Sequence, residues 1–221
     1  MQWQEISRRL AAVETSHLAD ADKTVRLMDR GLRPLVAGRK MIGRAYTLFC
    51  REDFLTVMVA LAEAQPGDVL IINTLGSARA VLGELFSMEA HRRGLAGIVV
   101  DGLVRDTVTL RSLDIPVYAR GATPLAGTIT RLFPTQVPLE CGGVSVRPGD
   151  IVFGDDDGII VASEAELATL LPVAEQIEAR ERATIARLQA GESLLSLLNF
   201  EEHRANVAAG RESTLRFLQD P

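Results

Sequence analysis

PGDVLIIN at residues 66–73 and GLAGIVVDGLVRD at residues 94–106 each run from a turn into a short apolar segment. Val69 to Asn73 and Ala96 to Val100 are too short for buried helices and are bounded by Gly, Pro and Asp, so both read as buried strands. Between them, Val81 to Arg93 carries Leu82, Leu85, Phe86, Glu89 and Ala90 at spacings of three and four. That spacing predicts a helix, and Gly94 is placed to stop it. The alternation extends both ways. Gly43 to Cys50 reads as a strand and Phe54 to Ala64 as a helix upstream. Asp106 to Leu113 reads as a short helix downstream, and Ile115-Pro116 leads into a strand over Val117 to Arg120. Strands separated by single helices at this spacing predict parallel pairing with crossover helices.

Outside this block the pattern changes. Trp3, Ile6, Leu10 and Val13 make residues 2–13 an amphipathic helix, a second short helix is expected near 18–29, and Gly31 to Gly43 is rich in turn signals. After Gly121 the expectation is a β-rich second layer, with short strands around 128–133, 136–140, 143–147, 150–153 and 158–162. Ser163 and Glu166 form a capping-box pattern, and helices are predicted over about 164–190 and 200–219. The reading is a core domain over 1–162 with a C-terminal helical extension over 163–221, whose leucine-rich face packs on the core or on a neighbouring subunit.

Composition narrows the function classes. The 221 residues are 47% apolar and carry a net charge of −5, an acidic balance unlike the basic surfaces that bind nucleic acid. No apolar run reaches the ~18 residues of a membrane span, and Met1 to Ser16 lacks the apolar core of a signal peptide, so a cytoplasmic protein is expected. Cys50 and Cys141 are too few for a disulfide framework. His17, His91 and His203 are scattered. Asp155-Asp156-Asp157-Gly158 lacks the pattern of a calcium loop and reads as a tight turn.

Two constellations can carry chemistry. Past Asn73 a Gly-Ser-Ala loop leads to Gly83-Glu84-Leu85-Phe86 at the front of a helix. Ligands of open α/β sheets bind beyond the carboxyl ends of the strands, and free N–H groups at a helix start favour a carboxylate. A glycine needed only for close packing is the alternative. The second constellation is Arg105-Asp106, just past the strand that ends in Asp101-Gly102. Asp106 is either a helix N-cap or an oxygen ligand for a hard cation. Arg105 is either a surface charge or a planar fork for a carboxylate.

Gly83-Glu84, then twenty residues, then Arg105-Asp106 resembles the signature of the RraA-like family. That family includes class II 4-hydroxy-4-methyl-2-oxoglutarate and 4-carboxy-4-hydroxy-2-oxoadipate aldolases and the regulator of ribonuclease E activity. Thr15 to Asp20, Gly31 to Leu35, Gly97 to Gly102, Ile115 to Gly121, Cys141 to Gly143, Arg147 to Asp150 and Gly154 to Gly158 add to the resemblance, which covers about residues 10–162. It implies a three-layer β/β/α swivelling fold of the phosphohistidine-domain kind, assembled as homotrimers or hexamers. It also implies site roles. Asp106 would bind a divalent metal, Mg²⁺ or Mn²⁺, and Arg105 would bind and activate the pyruvate moiety. Gly83, Glu84, Leu85 and Phe86 would hold the substrate carboxylate, with Glu84 as the catalytic acid–base group. Two positions depart from the family: Glu84 stands where the aldolases often carry Asp, and Thr109 where some members carry an acid. The implied activity is cleavage of a 4-hydroxy-2-oxo acid to pyruvate through an enolate, with oxaloacetate decarboxylation alongside. The alternatives are a non-catalytic regulator of ribonuclease E, or the same enolate chemistry on another 2-oxo or sugar acid.

Overall fold

A computed structural model of the chain describes residues 2–218. Helices α1 (Trp3–Ala11) and α2 (Thr15–Ala21) open the chain, followed by two-residue strands β1 (Arg26–Leu27) and β2 (Arg33–Pro34). Then come β3 (Met41–Phe49), α3 (Leu55–Glu63), β4 (Asp68–Asn73), α4 (Glu84–Arg92), β5 (Gly97–Val104), α5 (Thr107–Ser112) and β6 (Val117–Ala122). The remainder is β7 (Leu139–Cys141), β8 (Val144–Val146), β9 (Ile151–Gly154), β10 (Ile159–Ala162), α6 (Glu164–Gln189), α7 (Leu194–Leu197) and α8 (Phe200–Ala208).

Strands β3 to β6 pair in parallel, as the alternation predicts, at the centre of an eight-stranded sheet of order β1-β10-β9-β3-β4-β5-β6-β2. Strand periodicity sorts their side chains. Leu70, Ile72, Ile98, Val100, Val117 and Ala119 face α3, α4 and α5, in one core with Val57, Ala60, Ala90 and Leu110. Val69, Ile71, Val99 and Tyr118 face the other way, onto Leu139, Cys141 and Val146 of the β7–β8 hairpin. These are the three layers: helices, main sheet, small sheet. A third cluster joins Ile6, Leu10 and Leu18 to Ile151, Phe153 and Ile160 of the sheet and to Leu167, Leu171 and Ala174 of α6.

Several sequence expectations need correction. The second helix stops at Ala21 and not near 29, because the Asp22 carboxylate accepts from the Thr24 amide and hydroxyl at 2.8 and 2.7 Å and turns the chain into β1. The β-rich second layer is smaller than expected: β9 and β10 extend the main sheet, and the small sheet is β7–β8 alone. No strand forms over 128–133: Thr128 makes one isolated bridge with Asp53, and beyond it the Thr130 and Arg131 amides donate to the Asp53 carboxylate and not to a neighbouring strand. The helix expected over 200–219 ends at Ala208, ahead of Gly210 in the left-handed region (φ +69°), and residue 219 lies outside the described residues. No helix of the described residues is long and apolar enough to cross a membrane.

Candidate active site

Strand β5 runs four residues beyond the apolar segment that marks it in the sequence, reaching Val104. Its pairing with β6 shifts register between Val100 and Leu103. Gly102 permits the shift, since a Cβ there would lie 2.3 Å from Thr74 Oγ1. That hydroxyl donates to the Asp101 carbonyl at 2.6 Å. The extension carries Leu103 and Val104 alongside Val81 and Leu82, and the Arg105 amide donates to the Leu82 carbonyl at 3.0 Å. The two motifs that stand twenty residues apart in sequence are thereby side by side.

Asp106 does not cap its own helix. It occupies the N-cap position of α5, yet its side chain makes no bond to that helix. Its Oδ2 accepts instead from the Glu84 amide at the start of α4, at 3.2 Å. The Arg105 Nε lies 3.3 Å from the same oxygen. Asp106 also holds a left-handed backbone conformation (φ +56°), which costs a non-glycine residue about 1–2 kcal/mol. This strain aims the carboxylate across at α4 and not along α5. Among the described residues Oδ1 has no protein partner.

Gly83 is a packing glycine, but what packs on it is the charged pair itself. A Cβ at Gly83 would fall 2.5 Å from Asp106 Oδ2 and 3.0 Å from Arg105 Cγ. The first intrahelical bonds of α4 run from the Ser87 amide and hydroxyl to the Gly83 carbonyl, at 3.1 and 2.9 Å. The Leu85 and Phe86 amides therefore precede the bonded ladder and remain available to a ligand. The Glu84 carboxylate is fixed by Thr109 of α5, whose hydroxyl donates to Oε2 at 2.7 Å.

These residues line a cleft of about 310 Å³. Glu84, Arg105 and Asp106 form its charged side, while Phe54, Met58, Phe86, Ala126 and Ile129 make an apolar one. The Phe54 and Phe86 rings meet edge to face with centroids 5.4 Å apart, tying α3 to α4.

One residue that sequence reading missed builds much of this cleft. Asp53 is buried, and it accepts from the Leu55 amide (2.9 Å), the Thr128 hydroxyl (2.7 Å) and the Thr130 and Arg131 amides (2.6 and 3.1 Å). Burial pushes its carboxyl pKa up, but the four donors outweigh burial and hold it below the ordinary value. Asp53 fastens the 126–131 loop, one wall of the cleft, to the start of α3. An Asp two residues before a helical amide was the available signal; its partners some 75 residues away leave none.

The remaining sequence candidates are structural. Asp101 accepts from Arg120 Nε and from the Gly142 amide at 2.7 Å, joining β5, β6 and the small sheet. Asp155 accepts from the Thr15 amide and hydroxyl at 2.7 and 2.6 Å. His17 bridges the Glu14 amide (2.9 Å) and Glu181 of α6 (3.0 Å). Cys50 and Cys141 are buried and free, and burial pushes the Cys50 thiol up to about 12. Among the described residues no three His, Cys, Asp or Glu side chains converge as a metal cluster.

The RraA-like family model, described as Aldolase/RraA, matches residues 15–161. A protein of Halalkalibacterium halodurans named "Putative 4-hydroxy-4-methyl-2-oxoglutarate aldolase" is 36% identical over 177 residues, covering 77% of this chain and 84% of its own. Another of the same name, from Shewanella oneidensis, is 36% identical over 140 residues, covering 63% of this chain and 85% of its own. Among solved structures, RraAS2 of Streptomyces coelicolor, an unusual member of the RNase ES inhibitor RraA protein family, is 35% identical with a TM-score of 0.72. It covers 81% of this chain and 95% of its own. The RNA-processing inhibitor RraA of Thermus thermophilus is 34% identical with a TM-score of 0.64, covering 68% of this chain and 93% of its own. The sequence motifs, the three-layer fold and these matches agree: the chain belongs to the RraA-like family, Aldolase/RraA.

Proposed function

We propose that this chain is a divalent-metal-dependent lyase that cleaves a 4-hydroxy-2-oxo acid, of the 4-hydroxy-4-methyl-2-oxoglutarate type, to pyruvate through an enolate. The observation that carries this reading is the contact of Arg105 and Asp106 with the first turn of α4 across Gly83, where a side chain would not fit. The two aldolase-named relatives add support.

The substrate carboxylate lies on the Leu85 and Phe86 amides, where the helix dipole favours an anion. The Arg105 guanidinium reaches the 2-oxo oxygen with its terminal nitrogens. The 4-hydroxyl gives its proton to a water held by Glu84, the C3–C4 bond breaks, C4 leaves as a carbonyl compound, and the electron pair of the broken bond becomes the enolate of pyruvate, whose charge Arg105 offsets. Glu84, steadied by Thr109, orients the water that returns a proton to C3.

Asp106 fits a hard cation. Mg²⁺ takes one or two carboxylates and keeps several waters, so one carboxylate with a free oxygen at the cleft is a sufficient protein share. When bound, the cation supplies Lewis-acid polarisation of the 2-oxo group. The same chemistry extends to oxaloacetate, which gives the same enolate by losing CO₂, and to other 2-oxo or sugar acids. Assembly as a homotrimer or hexamer belongs to the proposal. Leu85 and Ile129, 70% and 57% exposed, line the cleft and offer apolar surface that a second copy would cover.

The test is pyruvate release from 4-hydroxy-4-methyl-2-oxoglutarate and from oxaloacetate, with EDTA and after adding back Mg²⁺ or Mn²⁺. Loss in chelator and recovery with metal is expected; full activity in EDTA removes the metal role. The names of the RraA neighbours support a second reading, a protein-binding regulator of ribonuclease E. Capture of ribonuclease E by a chain that releases no pyruvate would establish it instead.

A further inference from the structure

Arg105 and Asp106 line a second hollow besides the cleft. It holds about 310 Å³, as the cleft does, and lies between the start of α5 and the end of β6, where Thr107, Ala122, Thr123 and Pro124 complete its walls. Gly83 and the first turn of α4 belong to the cleft alone, Thr107 and Thr123 to the second hollow alone, and the charged pair to both. The extension of β5 that brings the two motifs together also builds this hollow. Val104 pairs with Ala122, and the Thr123 amide donates to the Val104 carbonyl at 2.9 Å. Thr123 Oγ1 accepts from the Leu125 amide at 3.3 Å, which leaves its own proton to be donated. The Thr107 hydroxyl has no protein partner among the described residues.

With the C1 carboxylate on the α4 amides and the 2-oxo oxygen at Arg105, the substrate chain runs from α4 towards the charged pair. C4 then comes past the pair, at the second hollow. We infer that this hollow seats the carboxylate on C4, and that Thr107 and Thr123 read it by donating one hydroxyl hydrogen bond each. This rests on the lyase reading above. Hydrogen bonds to a charged acceptor are stronger than neutral ones, and Arg105 adds positive charge at the edge of the hollow. A substrate with a methyl group in place of that carboxylate offers neither hydroxyl an acceptor. Cleavage delivers two 2-oxo acids: the enolate half gains a proton at C3 and becomes pyruvate, and the C4 half, its hydroxyl now a carbonyl, leaves from the second hollow.

Two measurements separate this seat from the reading beneath it. Exchange of the C3 hydrogens of pyruvate in D₂O with Mg²⁺, on the wild-type chain, reports enolate formation without any C4 group. The ratio of kcat/KM for 4-hydroxy-4-methyl-2-oxoglutarate to that for 4-hydroxy-4-methyl-2-oxopentanoate, in which a methyl replaces the C4 carboxylate, then reports the seat. The two substrates differ in intrinsic reactivity, and that difference cancels when the ratio is compared between wild type and variant. The ratio is also independent of how much of a variant folds. Exchange is expected, and Thr107→Val and Thr123→Val should each lower the ratio about tenfold, the loss of one hydrogen bond to a charged group. Thr107→Ser and Thr123→Ser, which keep the hydroxyl, should restore most of it. Exchange with a ratio that neither valine variant moves overturns the seat, as does serine no better than valine at both positions. Absence of exchange overturns the enolate reading and the seat with it.

Discussion

Asp53 and Asp106 both lie beside the cleft, and they are bonded in opposite ways. Asp53 is 1% exposed and accepts from four donors at 2.6–3.1 Å on two separate segments. Asp106 is exposed, holds a left-handed backbone and accepts one amide at 3.2 Å, with a guanidinium at 3.3 Å sharing the same oxygen. A carboxylate saturated by the protein fixes chain segments. A carboxylate left half-used by the protein, on strained backbone, keeps an oxygen that a ligand can take. The first region builds the cleft; in the function proposed above, the second reacts in it.

Breaking the second region should cost activity and little stability. Arg105→Lys keeps the charge and loses the planar fork; a fall in kcat/KM of about 100-fold or more is expected, and near-native turnover would remove Arg105 from the mechanism. Gly83→Ala pushes a methyl into the space between Asp106 and Arg105. Displacement on the ångström scale near reacting groups is worth about 100-fold, so a loss up to that size is expected with a thermal midpoint close to native. Wild-type kinetics in this variant would mean that the close approach has no catalytic role.

Asp53→Asn should do the reverse. It leaves buried amides with a poorer acceptor, at about 1–3 kcal/mol in stability. Because the native Asp53 carboxyl is held below its ordinary value, its stabilisation is complete above the unfolded carboxyl pKa of ~3.9 and fades as pH falls through the lower native value. Chemical denaturation at pH 7 and at pH 3 should therefore show the gap between wild type and variant narrowing in acid. A gap that widens in acid would contradict the sign. Thr109→Val is the mildest change: it frees Glu84 from one hydrogen bond and should lower kcat roughly tenfold or less. An unaltered kcat and pH profile would leave Glu84 without need of its partner.

The parallel core was legible because buried strands and amphipathic helices write different periods into the chain. Val69 to Asn73 and Ala96 to Val100 were apparent from composition, and Arg105, Asp106 and Gly83 from their place at strand ends and from family resemblance. The rest was hidden by distance or by local competition. Asp22 turns the chain out of a helix whose apolar spacing continues past it, and the segment 128–133 has strand-like residues whose hydrogen bonds go to Asp53. That Asp106 would cap α4 and not α5 follows from the β5 register shift, which needs Thr74 against Gly102 and is invisible to spacing.

The two shortest strands of the main sheet, β1 and β2, stand at its two margins. Each is two residues long and begins with an arginine, and β2 ends in Pro34, which has no N–H to offer. A foreign strand seeking backbone partners would meet a charge, a proline and an abrupt end. An eight-stranded sheet rich in valine and isoleucine can thus stay dilute in a crowded solution without templating its own aggregation.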